Sequence, residues 1–258
     1  MQSIVRNEQR NLLKPKRIIS WILLIFTLPI IKFLLIKDQY VFYRQIEVFQ
    51  RTNSDFVPLL FPFIVVLVNA IYLIPEIKNG YLFFVTTRTQ LKTYIQSKLI
   101  VNALISFLSA FLLVFLPFIF VMYIEPSLNI ISLDHAGTNP ISHLLFEQLL
   151  NNGTLTYGII YSFWVGINGV LYSTFALLLL FLGRTPLISF SVPFVYYIVG
   201  HFITQVLGID YLSPMLTIFP FSLELQPIWI IFIPFLVLIM IVGILYFMMR
   251  KRLAESYE

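Results

Sequence analysis

Apolar residues along the chain fall into six long runs, and stretches rich in polar or basic residues separate them. The six runs cover residues 18–36, 56–75, 99–124, 157–182, 187–207 and 227–249. A helix needs about 20 apolar residues to cross a hydrocarbon core. A helix also satisfies its own backbone hydrogen bonds in lipid, and the alternating pattern of a barrel strand is absent. The pattern predicts an all-α membrane protein with six transmembrane helices in a single domain, 1–258.

Composition points in the same direction. Of the 258 residues, 59% are hydrophobic and 11% are charged, and the mean hydropathy is +0.89. A typical soluble domain has about 25% charged residues. A soluble chain of this length could not bury so much apolar surface, because too many of its residues would face water. Lipid is therefore the expected solvent for most of the chain.

Basic residues predict which ends of the helices face the cytoplasm. With an even number of spans, both termini lie on the same side, and thirteen basic residues belong to that side: Arg6, Arg10, Lys14, Lys16, Arg17, Lys78, Arg88, Lys92, Lys98, Arg184, Arg250, Lys251 and Arg252. The opposite side has Lys37, Arg44 and Arg51. Since cytoplasmic loops carry the excess of Lys and Arg, we expect both termini and residues 76–98 to be cytoplasmic. This distribution is typical of membrane topology and not of a nucleic-acid-binding patch.

The segments between the runs have characters of their own. Residues 1–17 mix apolar and basic positions and end near Pro15, which favours an interfacial elbow helix over a frayed basic tail. Residues 183–186, Gly-Arg-Thr-Pro, predict a tight turn between the fourth and fifth spans. In the long outer loop 125–154, residues 141–150 favour a short amphipathic helix that ends at Gly153.

The segment 76–98 lies between the second and third runs and is neither apolar enough to span nor polar enough for an ordinary loop. Its sequence is EIKNGYLFFVTTRTQLKTYIQSK. A helix through 81–95 would have an apolar side and would display Thr86, Thr87, Arg88 and Lys92 elsewhere. Such a segment either lies in the membrane interface as a connector or docks on a cytoplasmic partner. The residues alone favour neither alternative.

Uncharged polar residues recur at helical spacing within the runs, and they could line a path for an amphipathic substrate. The candidate path residues are Asn102, Ser106, Ser109, Tyr161, Trp164, Asn168, Tyr172, Tyr197 and His201. The same residue types also form interhelical hydrogen bonds inside a bundle. A neighbouring stripe of Ser162, Gly166, Gly169 and Ser173 favours close helix packing. Lys32, near the outer end of the first run, is expected to reach the interface by snorkelling.

Enzymatic chemistry is not indicated. The chain lacks a phosphate-binding G-x-x-x-x-G-K-[ST] loop, an H-E-x-x-H zinc motif and a G-x-S-x-G elbow. It has no Cys, and its histidines, His135, His143 and His201, are too scattered to suggest a metal site. The runs contain no acidic residue, and Glu76 directly follows the cytoplasmic end of the second. A secondary transporter or channel would need intramembrane charges and an internal repeat, and the sequence shows neither.

The segment 76–98 resembles the first cytoplasmic loop of the transmembrane subunits of ABC-2-type transporters. In that family an acidic residue and a glycine precede an apolar pair, a Pro/Ser/Thr-Arg step and a later lysine. Here the pattern is Glu76, then Asn79-Gly80, then Phe83-Phe84, then Thr87-Arg88, then Lys98, with Thr where many members have a proline-containing step. The resemblance extends to the basic elbow, the six spans and a Pro-broken segment before the last span. In the family that last segment forms short re-entrant helices on the outer side.

The resemblance implies a permease subunit without its own ATPase site. It would pair with a second permease, identical or paralogous, and each would dock a separate ABC ATPase that binds ATP and magnesium; no cofactor is expected in this chain. The implied coupling residues are Glu76, Gly80, Phe83, Phe84, Thr87, Arg88 and Lys92. The compact size resembles permeases of the bacterial cytoplasmic membrane that serve bacteriocin immunity or export amphipathic peptides. The expected substrate is a peptide, a toxin-like peptide, a drug or a lipid.

Overall fold

The computed structural model describes residues 15–78, 91–134, 145–221, 223 and 227–255, and this part of the chain is almost entirely helical. The α-helices are α1 (Pro15–Ile36), α2 (Gln45–Thr52), α3 (Phe56–Lys78), α4 (Leu91–Ile119), α5 (Glu125–Leu128), α6 (Thr154–Phe181), α7 (Pro186–Val206), α8 (Pro214–Ile218) and α9 (Phe232–Glu255). A π-helical turn, Phe120–Ile124, joins α4 to α5, and short 3₁₀ turns cover Glu147–Asn152, Asp210–Leu212 and Ile228–Ile231.

Four helical segments in the described part of the chain are long and apolar enough to cross a membrane. They are Leu91–Leu128, Thr154–Phe181, Pro186–Val206 and Ile228–Arg252. A fifth is counted if α2 and the first part of α3, which meet at a bend of 52°, form one broken span. The first predicted run lies in α1, whose apolar part, Trp21–Ile36, is shorter. The all-α membrane class is confirmed to this extent, and the count of six spans remains a prediction.

The predicted helix boundaries differ most from the observed ones around the segment 76–98. Helix α3 continues to Lys78, and α4 begins at Leu91, eight residues before the predicted third span. Lys92 and Lys98 therefore belong to the first two turns of a long helix. The structure does not describe residues 79–90, so the predicted helix break at Asn79-Gly80 and most of the coupling segment lie outside the described residues. The elbow segment before Pro15 also lies outside them.

Helices α4 and α6 form the centre of the bundle and approach each other closely along glycines. A Cβ added at Gly169 would lie 2.6 Å from Ala110 Cβ and 3.3 Å from the backbone oxygen of Ser106. At Gly166 it would lie 2.8 Å from the ring of Phe107. Small residues permit such contact between helix backbones in a membrane protein. The packing role predicted for the stripe on this face of α6 is confirmed.

The predicted turn between α6 and α7 is confirmed: its first two residues end α6 and its last two begin α7. Gly183 has a φ of +78°, and its amide and that of Arg184 bond back to carbonyls of the last turn of α6. This is a Schellman motif, in which glycine is favoured because it adopts left-handed φ without a Cβ clash. Thr185 then caps α7 through a bond from Ile188 N, and Pro186 occupies the first helical position.

Replacing Gly183 by valine should destabilise the protein, whereas asparagine should be tolerated better. A β-branched residue is strained at positive φ, and a Cβ here would lie 3.1 Å from Arg252 Nη1. We expect the valine variant to lose about 1–3 kcal/mol of stability, and the asparagine variant to lose less, since asparagine enters the left-handed region more readily. Thermal melting of the purified protein in detergent measures both. Equal melting temperatures for the two variants would contradict a role for the positive φ.

The connections between helices lie at two opposite ends of the bundle. At one end, the Arg252 guanidinium donates to the carbonyl of Leu182, and the start of α4 packs with the ends of α6 and α9 through Tyr94, Leu178 and Met249. This end, called the basic end below, contains Lys92, Lys98, Arg184, Arg250, Lys251 and Arg252.

The opposite end, called the polar end below, joins segments that are distant in sequence. Asp134 N donates to Phe42 O at 2.9 Å, and Leu145 N donates to Leu223 O at 3.2 Å. The Pro-broken segment 209–224 lies here; its described residues form the 3₁₀ turn Asp210–Leu212 and the short α8. Of the amphipathic helix predicted over 141–150, residues 145–150 are described, and they do not form an α-helix: Phe146 has a φ of +74° and the 3₁₀ turn Glu147–Asn152 follows it. The turn ends as expected at Gly153, which has a φ of +108°.

Candidate functional site

Three of the nine candidate path residues, Asn102, Trp164 and Tyr197, bond to other helices of the bundle. Ser173 Oγ donates to Asn102 Oδ1 at 2.8 Å and so joins α6 to α4. Trp164 Nε1 donates to the carbonyl of Thr217 at 2.9 Å. Tyr197 Oη donates to the carbonyl of Pro58 at 2.8 Å. These bonds satisfy polar groups where water is scarce, which is the interhelical role that polar residues commonly have in membrane bundles.

Five further residues of the predicted path are buried. Asn168 donates within its own helix to Trp164 O at 3.0 Å. Tyr161 and Tyr172 are at most 1% exposed, in an aromatic core with edge-to-face contacts to Phe49 and Phe61 respectively. Ser106 and Ser109 are buried in α4. Of the nine residues, His201 is the one that borders any of the three cavities described here.

The implied coupling residues are mostly not described by the structure. Gly80, Phe83, Phe84, Thr87 and Arg88 lie outside the described residues. Glu76 lies in the last turn of α3, and Lys92 lies in the first turn of α4 at the basic end. Their role in coupling stays a prediction.

A cavity of about 510 Å³ lies at the polar end of the bundle and combines charged, amide and apolar side chains. We call it the polar cavity. Its lining residues are Phe42, Glu47, Gln50, Arg51, Ser54, Asp55, Pro58, His201, Gln205, Met215, Leu216, Phe219 and Phe221. Its volume is within the range of about 300–1,000 Å³ that is usual for small-ligand sites. Two further cavities, of about 340 and 410 Å³, have almost wholly apolar walls.

Helix α2 and the bend after it provide the charged wall of the polar cavity. The sequence QIEVFQRT places Val48 and Phe49 in the core, while Glu47, Gln50 and Arg51 border the cavity. The bend to α3 passes through Asp55, which has a φ of +63°. Aspartate is among the few residues other than glycine that adopt this conformation at modest cost. The bend thereby turns the Asp55 carboxylate towards the cavity.

Asp55 also forms an ion pair with Lys32 of α1. The Lys32 ammonium contacts Asp55 Oδ2, and it lies 5.7 Å from the centroid of the Phe56 ring. The Lys32 side chain is 9% exposed, whereas that of Asp55 is 53% exposed. Lys32 was expected to snorkel to the interface; its ammonium instead ends on a carboxylate, because the bend between α2 and α3 brings Asp55 to α1.

Arg51 is held at the wall of the polar cavity by Tyr40. Its Nη2 donates to Tyr40 Oη at 2.6 Å, and its guanidinium lies 4.5 Å from the centroid of the Tyr40 ring. Arginine commonly stacks on aromatic faces in this way. Its Nε is buried and has no hydrogen-bond partner in the described part of the chain. The cavity thus has a fixed cation at one position and the Asp55 carboxylate at another.

The hydrogen bonds of Ser213 fix the tautomer of His201. Ser213 Oγ accepts from the amides of Met215 and Leu216, both at 3.2 Å, and so caps α8. A hydroxyl has two acceptor positions and one hydrogen to donate. Both acceptor positions are used, and the hydroxyl therefore donates to His201 Nδ1, 2.8 Å away. The neutral His201 ring has its own hydrogen on Nε2 and can donate from that atom.

A network of ionic groups around the buried carboxylate of Glu147 supports α2 from behind the polar cavity. Arg44 donates from Nη1 to Glu147 Oε2 at 2.9 Å and from Nε to Glu47 Oε1 at 3.0 Å. Gln50 Nε2 donates to Glu147 Oε1 at 3.0 Å. Burial would lower the pKa of Arg44, but the bonds and charges of Glu147 and Glu47 outweigh it and raise the pKa above its ordinary value. The guanidinium stays charged.

A second buried carboxylate anchors α2 to the end of α4. Gln45 Nε2 donates to Val121 O at 2.7 Å and contacts Glu125 Oε2. Ile131 N donates to Glu125 Oε1 at 2.8 Å. Val121 lies in the π-helical turn just after Pro117, a residue that removes one helical hydrogen bond. Neither this network nor the polar cavity was predicted from the sequence. The spacing of the apolar residues in QIEVFQ was the one feature that could have predicted a buried α2.

Among the described residues, no group of three or more His, Asp or Glu side chains could hold a metal ion. Comparisons of the chain with protein-family models, with curated proteins and with solved structures give no match.

Proposed function

We propose that this chain is the membrane-spanning permease subunit of an ATP-driven exporter and that its substrate is amphipathic. The observation that carries the proposal is the polar cavity, in which Asp55, Arg51 and His201 share one space with Phe219, Phe221 and Met215. Such a mixed wall suits a molecule that has both a charged part and an apolar part, and it suits a small hydrated ion less well. Substrate export needs such a site within an otherwise apolar bundle.

The position of the polar cavity relative to the basic end supports the direction of transport that we propose. Helix α6 has 28 residues, so the two ends of the bundle are about 42 Å apart at 1.5 Å per residue. The basic end is the cytoplasmic one by the positive-inside rule, which puts the polar cavity on the outer side. ATP would act at the basic end through the segment 76–98, on a partner ATPase, as the family resemblance implies.

Purification of the chain from its native membrane tests this proposal. A separate chain with a phosphate-binding loop should co-purify in fixed stoichiometry, and the two together should hydrolyse ATP in proteoliposomes. Export of an amphipathic peptide should then require ATP. Transport by the isolated chain without a nucleotide-hydrolysing partner would overturn the proposal.

Substitutions in the segment 76–98 should uncouple ATP hydrolysis from export. We expect Glu76→Ala and Arg88→Ala to lower ATP-dependent export about tenfold, a typical size for the loss of coupling between two sites, while membrane insertion is unchanged. Lys251→Ala is the control, because Lys251 lies at the basic end but outside this segment. Export and ATP hydrolysis are measured on the same proteoliposomes. Unchanged coupling in both variants would make the segment a connector only.

A secondary transporter is the second candidate, and the ion pair of Lys32 with Asp55 favours it. The pair includes a charged residue within the first predicted run, which is the kind of feature that such a transporter needs. Buried Glu125 and Glu147 add further charges at the polar end. Transport driven by an ion gradient in proteoliposomes without ATP distinguishes this candidate from the permease.

A further inference from the structure

We propose that the polar cavity binds a cationic amphipathic peptide, with an ammonium or guanidinium group of the peptide on Asp55 in place of Lys32. This inference rests on the proposed function for its general substrate class and adds the charge of the substrate and the residue that recognises it. Asp55 lies between Lys32 on one side and the cavity on the other. Lys32 then acts as an internal competitor of the bound cation.

The exposure of the two partners supports an exchange of cations. The Asp55 side chain is 53% exposed although it is ion-paired, whereas Lys32 is almost fully buried. A carboxylate has two oxygens and about four acceptor positions, and the observed contact with Lys32 involves Oδ2. A second cation can therefore approach Asp55 from the cavity side and weaken its bond to Lys32. An ammonium that leaves Asp55 still has the face of the Phe56 ring near it.

The other walls select for a peptide that is also apolar. Phe219, Phe221 and Met215 provide aromatic and thioether surface for apolar side chains. Arg51 and the Nε2 hydrogen of His201 can donate to peptide carbonyls or to a terminal carboxylate. The fixed guanidinium of Arg51 repels a cation and so directs it towards Asp55.

A binding measurement with three variants tests the assignment. The probe is a fluorescently labelled eight-residue peptide of leucine and lysine pairs, and the protein is held in nanodiscs of phosphatidylcholine. We expect Asp55→Asn to weaken binding about tenfold, since it removes a charge-assisted bond. Asparagine also tolerates the left-handed backbone of this position. Lys32→Gln should strengthen binding several-fold, because it removes the competing cation. A peptide with glutamine in place of lysine should not bind.

Asp38→Asn is the matched control, because the Asp38 side chain is 80% exposed and lies outside the cavity. The affinity of this variant for the peptide should equal that of the wild-type protein. The decisive result is that Asp55→Asn lowers the affinity for the peptide whereas Lys32→Gln raises it. If both variants weaken binding equally, the ion pair is structural and the assignment is wrong. It is also wrong if Asp55→Asn binds like the wild type, or if phosphatidylethanolamine in the nanodiscs displaces the peptide, which would make a lipid headgroup the ligand.

The binding experiment uses neither ATP nor a partner, so its outcome is separate from that of the proposed function. Absent binding together with a co-purified ATPase and ATP-driven export overturns the cationic-peptide site alone. Intact binding together with transport that needs no ATPase overturns the exporter alone.

Discussion

Replacing Gly169 by valine is expected to disrupt the packing of α4 against α6 and to cost about 3 kcal/mol or more. A Cβ at this position would lie 2.6 Å from Ala110 Cβ, and the backbone oxygen of Ser106 lies 3.3 Å away. Neither neighbour can rotate aside, because one is the only side-chain carbon of alanine and the other belongs to the main chain. The helices themselves would have to separate. Size-exclusion chromatography and thermal melting in detergent measure the loss.

The same substitution at Gly243 of α9 serves as the control for Gly169→Val. No atom lies within 4 Å of a Cβ built at Gly243, so Gly243→Val should melt near the wild type. A rescue variant tests the mechanism further: Gly169→Ala alone should destabilise, and Ala110→Gly in the same chain should restore much of the stability. If Gly169→Val and Gly243→Val melt at the same temperature, close contact between α4 and α6 does not stabilise the fold.

The helical class and the local features of single segments could be predicted from the sequence. The long apolar runs at 99–124, 157–182, 187–207 and 227–249 lie in helices that are long enough to span a membrane. The turn at 183–186 was also predictable, since glycine, threonine and proline have strong and separate preferences at helix ends. These features depend on near neighbours in sequence, which a pattern reports directly.

The polar end could not be predicted because its partners are far apart in the chain. Arg44 bonds to Glu147, 103 residues away, and Gln45 contacts Glu125, 80 residues away. In the sequence, α2 is a short polar segment in a loop; in the structure Val48 and Phe49 are fully buried. Tertiary contacts decide the burial of so short a helix, since eight residues are too few for a stable helix alone.

The candidate site shows the same division between local and distant information. His201 was predicted as a path residue, and it borders the polar cavity. Of the charged residues that line this cavity, Arg51 was assigned only to the outer side, and Glu47 and Asp55 were not considered. A stripe of polar residues on one helix cannot show whether it faces another helix or a cavity. For Asn102 and Tyr197 the bonds to other helices answer that question.

Replacing Glu147 by alanine is expected to cost at most about 3–5 kcal/mol, the penalty for breaking a fully buried ion pair, since the Glu147 side chain is buried but that of Arg44 is 24% exposed. Glu147 is 5% exposed and accepts hydrogen bonds from both Arg44 and Gln50. Its removal takes this acceptor from Arg44 Nη1 and from the buried Gln50 Nε2, although Arg44 keeps its bond to Glu47. In the wild-type protein the pKa of Arg44 is raised above its ordinary value, although burial would lower it, because Glu147 and Glu47 bond to it. The stabilisation from this pair is therefore fully present below the ordinary pKa of Arg44 and is lost only as the pH rises through the higher folded value, so the pair is intact near neutral pH. Thermal melting near neutral pH gives the size of the loss.

Two companion variants distinguish the ion pair from a general effect of removing a carboxylate. Asp38→Ala removes an acidic residue whose pair with Lys37 is 3.7 Å long and largely exposed, and we expect it to change stability by less than about 0.5 kcal/mol. The double variant Arg44→Met with Glu147→Met removes both charges and keeps the volume filled, so it should recover much of the stability lost in Glu147→Ala. Because α2 forms a wall of the polar cavity, we also expect Glu147→Ala to weaken peptide binding and the double variant to regain it. Stability regained without binding would mean that the charges of this network, and not only its packing, shape the cavity.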